Sequence, residues 1–453
     1  MYSYWVARTF RLKMRSVGGS DPHVRIIVQY QFHNWHDHRV VQFSTPVVNF
    51  LRKLRNTSSE QATGVDGSDR STPSLPYKSS LTLVHCSAGI GRTGTLIASD
   101  IIIKKAEMLL KRKSPHDVEV DVRNTVSNLR EQRHKMVQNL EQYMFVYETV
   151  YEALSCTSVT PSVLDARICD AQPPNDERLQ REFDTLERNK PIIPRQEFDV
   201  AMDIKNAGKN RVQKILPPGF CRVAMLTPSD DRQDYFAGIW LDGVQRPRDI
   251  IAAQSPMPHT ISDFWSVIWD WNVSVVVSLD TLPCFDPSYS SVGPESENEI
   301  VQHGPFRIKS LRKTASSCGR ESSEDARPYV VDVLGVLHCG KRALPGFEVR
   351  HFTYCGNWQD NVRAVPNSVD QFAEFITAID EARKVAENRP ILIHCLDGCS
   401  RTGIAVASVL MKEQFNIDDE IDAFQQVKML RNSRPEFVSN IVSHLILIPY
   451  LKL

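Results

Sequence analysis

The sequence predicts an α/β protein of two units, each a twisted mixed β-sheet flanked by helices, the first unit incomplete. Three observations predict it. The stretch His85-Cys86-Ser87-Ala88-Gly89-Ile90-Gly91-Arg92-Thr93-Gly94 follows an apolar run (Leu81 to Val84) and opens an apolar helix-like segment (Leu96 to Ile103). A second stretch, His394-Cys395-Leu396-Asp397-Gly398-Cys399-Ser400-Arg401-Thr402-Gly403, follows Ile391 to Ile393 and opens Ile404 to Met411. Each reads as strand, Gly-containing turn, helix. The chain also repeats itself: Glu119-Val120-Asp121 returns as Glu420-Ile421-Asp422, offset 301, and the same offset pairs Val126 with Val427, Leu129 with Leu430, Arg130 with Arg431 and Arg133 with Arg434.

The two cysteines lie 309 apart and Trp35 and Trp358 lie 323 apart, so the first copy holds fourteen more residues between tryptophan and cysteine. A polar insert explains the difference. The chain's 453 residues, 42% of them hydrophobic, suffice for two or three domains with real cores. Its 54 basic and 54 acidic side chains cancel, giving no general attraction to nucleic acid or an anionic membrane. Ten cysteines without a regular framework fit a reducing, cytosolic compartment. No apolar run reaches the roughly 18 residues of a membrane span, and no signal-peptide pattern follows Met1, so a soluble chain is expected.

Taken in order, Tyr4 to Leu12 and Val24 to Phe32 read as strands, rich in β-branched and aromatic residues. Nothing punctuates the chain before the first, which is expected to start inside a sheet. Asn34 to Arg39 form a loop, and Pro46 to Leu54 is helix-like. Residues 56–80, rich in Ser, Thr, Gly and Asp, are expected to be a surface loop or disordered insert. Helices follow the first cysteine loop to about Leu154. The first unit is placed at 1–155, a linker at 156–177 and the second unit at 178–453. No structure is assigned to the polar stretch Arg320 to Arg327.

The two cysteine loops carry the chemistry. A turn at a helix N-terminus gathers backbone N–H groups into a concavity that binds a tetrahedral oxyanion. The same field favours a thiolate. Arginine six positions on offers a planar fork for two phosphate oxygens.

These residues resemble the signature loop of the protein tyrosine phosphatases: His-Cys, five residues, Arg. The first copy matches at every position; the second departs in the middle. Trp35-His36-Asp37 and Trp358-Gln359-Asp360 resemble the family's acid loop, usually Trp-Pro-Asp. Lys209-Asn210-Arg211-Val212, Asp234-Tyr235-Phe236-Ala237-Gly238 and Ile251-Ala252-Ala253-Gln254-Ser255-Pro256, running on to Asp263-Phe264-Trp265, resemble the N-terminal half of a phosphatase domain. The whole chain resembles the tandem phosphatase region of a receptor-type member. Its second unit is most similar to the membrane-distal domain of the subgroup whose ectodomains carry MAM and fibronectin modules.

The resemblance implies hydrolysis of phosphotyrosine proteins through a phosphocysteine. Cys86 would attack phosphorus, while Arg92 and the loop residues Ser87, Ala88, Gly89, Ile90 and Gly91 hold the oxygens. Gln142 would also bind the substrate, Asp37 would protonate the leaving tyrosine oxygen, Gln138 would place the hydrolytic water, and Thr93 would hydrogen-bond the leaving thiolate. No metal, other cofactor or nucleic acid is implied. The chain would be the cytoplasmic region of a single-pass receptor, its two domains in contact within or between chains.

The second site, Cys395, Arg401 and Asp360, is expected to be degenerate. Val212 replaces the tyrosine that lines the family's pocket, and Ser439 stands at offset 301 from Gln138. At roughly 7 Å and an effective dielectric near 20, Asp397 would repel each phosphate charge by about 2 kcal/mol, and it would raise the Cys395 pKa. This unit therefore reads as a pseudophosphatase. Cys399 is expected to be a small residue filling the turn rather than half of a redox disulfide, and zinc is not expected in so tight a loop. With no aromatic pocket wall upstream, the first unit is expected to be poorly stable alone and weakly active. The alternative is a regulatory or binding module. A dual-specificity enzyme ranks third, since Gln254-Ser255-Pro256 and Lys209-Asn210-Arg211 fit the tyrosine-specific class better.

Overall fold

The computed structural model describes residues 4–13, 24–33, 35–36, 39–41, 43–63, 81–112, 118–155, 177–226, 233–280, 290–313, 328–340, 346–359, 365–386, 389–418 and 422–440. Asp37, Asp360, the linker residues 156–176 and the stretch 320–327 lie outside them. The chain divides into two compact units, Met1–Thr157 and Ser158–Leu453.

In the first unit, β1 (Trp5–Lys13) and β2 (Val24–Phe32) pair antiparallel, Trp5 opposite Phe32 and Lys13 opposite Val24. The end of this hairpin packs on Phe50 of α1 (Thr45–Thr63), with ring centroids 5.6 Å from Trp5 and 5.2 Å from Phe32. α2 (Gly91–Leu110), α3 (Val122–Gln132) and α4 (Leu140–Ser155) complete the unit. Ala98, Ile102 and Ile103 of α2, Val126 and Leu129 of α3, and Phe145, Val146 and Val150 of α4 form one core with Val47, Leu51 and Trp35. The apolar positions fall at helical spacing, which is why each helix buries one face.

The second unit is built on a nine-stranded mixed sheet. Its strands are β3 (Arg222–Ala224), β4 (Tyr235–Leu241), β5 (Ile250–Gln254), β6 (Val275–Ser278), β7 (Ile300–His303), β8 (Phe306–Arg312), β9 (Tyr329–His338), β10 (Phe347–Tyr354) and β11 (Ile391–Cys395). The order is β3-β4-β5-β11-β6-β10-β9-β8-β7. β11 runs parallel to both its neighbours, β5 and β6, and β10 runs parallel to β6; the other pairs are antiparallel. β11 is buried along its length, as a parallel strand covered on both faces must be. α6 (Ile261–Asp270) sets Phe264, Trp265 and Ile268 against Ile251, Val276 and Leu392 on one face. α7 (Val369–Val385) lies against β6 and α8 (Ser400–Asp418) against β5 and β11. α5 (Glu177–Arg188) turns Leu179, Phe183 and Leu186 inward and packs on α9 (Ala423–Ser433).

Two expectations need correction. Residues 56–63 belong to α1 rather than to a loop, because a helix once nucleated continues through polar residues at small cost; 64–80 lie outside the described residues. Leu81 to Val84 form no strand, and Leu81 and Leu83 are exposed. Their counterparts in β11 are held between β5 and β6, and no described residue of the first unit pairs with 81–84 in that way. A strand is made by its neighbours.

Candidate active site

The first loop is set between Cys86 and the start of α2. Gly89 adopts φ +68, a left-handed turn that glycine takes without penalty, and its N–H donates to Cys86 Sγ at 3.2 Å. Ile90 stands at the N-cap of α2 and offers no side-chain hydrogen bond to its first N–H groups. Burial works to raise the Cys86 pKa, but Thr93, by side chain and N–H, and the N–H groups of Gly89 and Ile90 outweigh it and hold the thiol below its ordinary value. The Thr93 hydroxyl is buried, and its side chain helps to lower the Cys86 pKa. Arg92 Nη1 donates to the Trp35 carbonyl at 2.6 Å, which joins the signature arginine to the segment that leads to Asp37. Trp35 is itself fixed by Nε1 on the Arg39 carbonyl at 2.9 Å and by Phe145 at 5.9 Å.

Glutamines 138 and 142 are brought to the same loop. A Cβ on Gly91 would lie 3.0 Å from Gln138 Oε1 and 3.0 Å from Gln142 Nε2, so both side chains rest where glycine leaves room. The Gln138 N–H donates to Gln142 Oε1 at 2.9 Å. Gly94 is required for a different reason. A Cβ there would meet the Val137 nitrogen at 2.5 Å, where the Val137 N–H donates to the Ile90 carbonyl at 3.1 Å. Arg130 clamps the Met136 and Val137 carbonyls at 2.9 and 2.8 Å, and Arg133 Nη2 holds the Ala88 carbonyl at 3.1 Å. Gln138 and Gln142 thus lie against the loop that runs from Cys86 to Thr93, while Asp37 lies outside the described residues.

The second loop keeps this buttress. Arg431 clamps the Phe437 and Val438 carbonyls at 3.0 and 2.8 Å, and Arg434 holds the Gly398 carbonyl. Gly398 takes φ +67, matching Gly89. The electrostatics are opposite. Asp397 Oδ1 accepts from the Cys399 and Ser400 N–H groups at 2.8 and 2.9 Å, and the Cys395 thiol donates to the same oxygen at 3.1 Å. Burial, then Asp397 and Asp280, raise the Cys395 pKa far above a free thiol's; the Thr402 hydroxyl, 3.0 Å from the sulfur, works the other way and loses. Arg401 pairs with buried Asp280 and lies over the Trp358 ring at 5.0 Å. Cys399 is buried and free, its thiol pushed up by burial, as a residue filling the turn would be. Cys355, by contrast, is in a disulfide, unlike the reduced cysteines expected from the sequence.

The protein-tyrosine phosphatase family profile matches residues 1–152 and 206–448, which is most of the chain and takes in both loops. The chain belongs to the protein-tyrosine phosphatase family. It is 26% identical over 447 residues to receptor-type tyrosine-protein phosphatase U of Gallus gallus, covering 97% of this chain and 28% of that protein. Receptor-type tyrosine-protein phosphatase F of Homo sapiens is 28% identical over 453 residues, 96% of this chain and 21% of its own length. The Danio rerio form is 29% identical over 450 residues, 95% and 20%. The chain therefore spans between a fifth and a third of the curated relatives it matches.

Within this phosphatase fold the stretches noted upstream hold one another together. The Arg211 N–H donates to Gln254 Oε1 at 2.8 Å, Gln254 Nε2 donates to the Lys209 carbonyl at 2.8 Å, and Lys209 pairs with Asp263 at 2.9 Å. Val212 is half-buried beside them, and Ser439 is exposed. Sequence reasoning missed Asp280, which neutralises Arg401 from 121 positions away. It used Arg130, Arg133 and their second-unit counterparts only as marks of the repeat, and their spacing was the available sign that they support the loops. Among the described residues no cluster of three or more His, Cys, Asp or Glu could hold a metal ion, and no helix is long and apolar enough to cross a membrane.

Proposed function

We propose that the first unit hydrolyses phosphotyrosine in proteins through Cys86 and that the second is a phosphatase fold without turnover, serving a regulatory role. The observation that carries this reading is the opposed surroundings of the two cysteines: Cys86 Sγ accepts the Gly89 N–H and its thiol is held below its ordinary pKa, whereas the Cys395 thiol donates to Asp397 and is raised by burial and by that carboxylate. Only a thiolate attacks phosphorus at useful rate. Arg92 and the loop N–H groups would take the equatorial oxygens, and Asp37 would protonate the departing phenolate. Gln138 and Gln142 would then place the water that frees Cys86 from phosphate, with the Thr93 hydroxyl easing its departure. The receptor-type names of the relatives favour a place in the cytoplasmic part of a receptor, with phosphotyrosine proteins as partners.

A second reading, a binding module of low activity, is favoured by exposed Leu81 and Leu83 leading into Cys86, where no strand pairing forms among the described residues. The deciding experiment is hydrolysis of a phosphotyrosine peptide by the purified chain beside Cys86→Ser and Cys395→Ser. Loss with Cys86→Ser alone supports the catalytic reading. Loss with Cys395→Ser alone overturns the division of labour, and no turnover by a folded wild-type chain leaves the binding reading.

A further inference from the structure

We propose that Asp397 is the resident anion of the second unit: a carboxylate of the chain seated where the first loop would take phosphate, keeping this site closed to phosphate. The proposal rests on reading the Cys86 loop as a phosphate site, though not on its turning over substrate.

The two loops supply the comparison. Counted from the cysteine, Asp397 stands where the first loop has Ala88, Cys399 where it has Ile90 and Ser400 where it has Gly91. α2 begins with no side-chain cap. α8 begins with Asp397 across its first N–H groups: Oδ1 takes the Cys399 and Ser400 N–H at 2.8 and 2.9 Å, and Oδ2 takes the Ser400 hydroxyl. Those are the donors that would otherwise turn to an oxyanion. The remaining phosphate-binding parts are engaged as well. The Cys395 thiol donates to Asp397 at 3.1 Å, and Arg401 is held by Asp280 and by the Trp358 face at 5.0 Å.

Three further points favour an internal ligand over an incidental contact. Burial acts to raise the Asp397 pKa, but the Ser400, Cys395 and backbone bonds prevail and keep the carboxylate charged. Asp280, buried and with no hydrogen-bond partner for Oδ2 among the described residues, pairs with Arg401 and so occupies the guanidinium that a phosphate would need. Trp358 Nε1 donates to the Leu279 carbonyl at 3.0 Å, beside Asp280, which fixes the ring over Arg401. An entering phosphate would have to displace one carboxylate and lie against the other.

The test is calorimetric titration of the full chain with tungstate, a non-covalent phosphate analogue. An Arg92→Met background weakens the first loop, so the outcome does not depend on catalysis there. In that background no binding dependent on Arg401 is expected. Adding Asp397→Ala should create one tungstate site, bound about tenfold or more tighter, and Arg401→Met should abolish it. Asp397→Asn, which keeps an acceptor and drops the charge, should give a smaller gain and serves if the alanine variant does not fold. The proposal is overturned if the Arg92→Met chain already binds tungstate in an Arg401-dependent way. It is equally overturned if folded Asp397→Ala and Asp397→Asn chains both gain nothing. Failure of the Cys86 reading would show instead as no peptide turnover by the wild-type chain.

Discussion

Gly89 and Gly398 occupy the same position in the two loops, at φ +68 and +67, and alanine should be far costlier at one than at the other. Left-handed backbone costs a residue with a Cβ about 1–2 kcal/mol, and both sites bear that. The surroundings then separate them. A Cβ at 89 would meet only the tip of Arg133, Nη2 at 3.3 Å, which can swing away. At 398 it would lie 2.5 Å from the Gln254 nitrogen and 2.6 Å from the Ala253 carbonyl carbon, both backbone atoms of β5. Overpacking against a fixed strand adds about 1–3 kcal/mol. Gly89→Ala should therefore cost about 1–2 kcal/mol and Gly398→Ala about 2–5 kcal/mol. Urea unfolding of the full chain followed by hydrogen exchange, read on peptides from each unit, measures the two losses separately. Equal losses, or a larger one at Gly89, would refute the argument that β5 holds the second loop from behind.

Three more outcomes follow from the same geometry. Thr93→Val removes the hydroxyl that favours the Cys86 thiolate, so iodoacetate should alkylate Cys86 more slowly at neutral pH and its rate profile should shift to higher pH; an unchanged profile would remove Thr93 from that role. Arg431→Ala leaves the buried Phe437 and Val438 carbonyls without a donor and should destabilise the second unit by about 2–5 kcal/mol. Little of that comes from the ion pair with Glu187, whose side chain is 41% exposed, so Glu187→Gln should cost much less. Burial pushes the Cys221 thiol up to about 12 from 9.0, and Cys395 and Cys399 are also raised. The unfolded chain thus sheds these protons first as pH climbs past 9.0, and stability should fall there; Cys→Ser at the three positions should flatten the decline in chemical denaturation.

Much of the site was legible because its parts are local. Cysteine, glycine and arginine spacing states the loop directly, and the apolar period beyond it states the helix. The repeated Asp121 and Asp422 proved to be helix caps, accepting the Asn124 and Gln425 N–H groups at 2.8 and 2.9 Å. What stayed hidden depends on distant partners. Leu81–Val84 has a strand's composition, yet the pairing that makes Ile391–Cys395 a strand comes from residues 250–278. Asp280 reads as one more loop aspartate until the fold sets it on Arg401. Asp397 was seen to oppose phosphate, but its four donors, from Cys395, Cys399 and Ser400, become visible only in the folded turn.

Val137 and Val438, 301 residues apart, both sit at left-handed backbone angles, φ 57 and 50. A β-branched residue so placed is commonly taken as a mark of function. Here the loop whose cysteine donates to a neighbouring carboxylate holds the same twisted valine as the loop whose cysteine is held below its ordinary pKa. The distortion is common to both copies. It works as a keystone, locked by an arginine in each copy of the repeat.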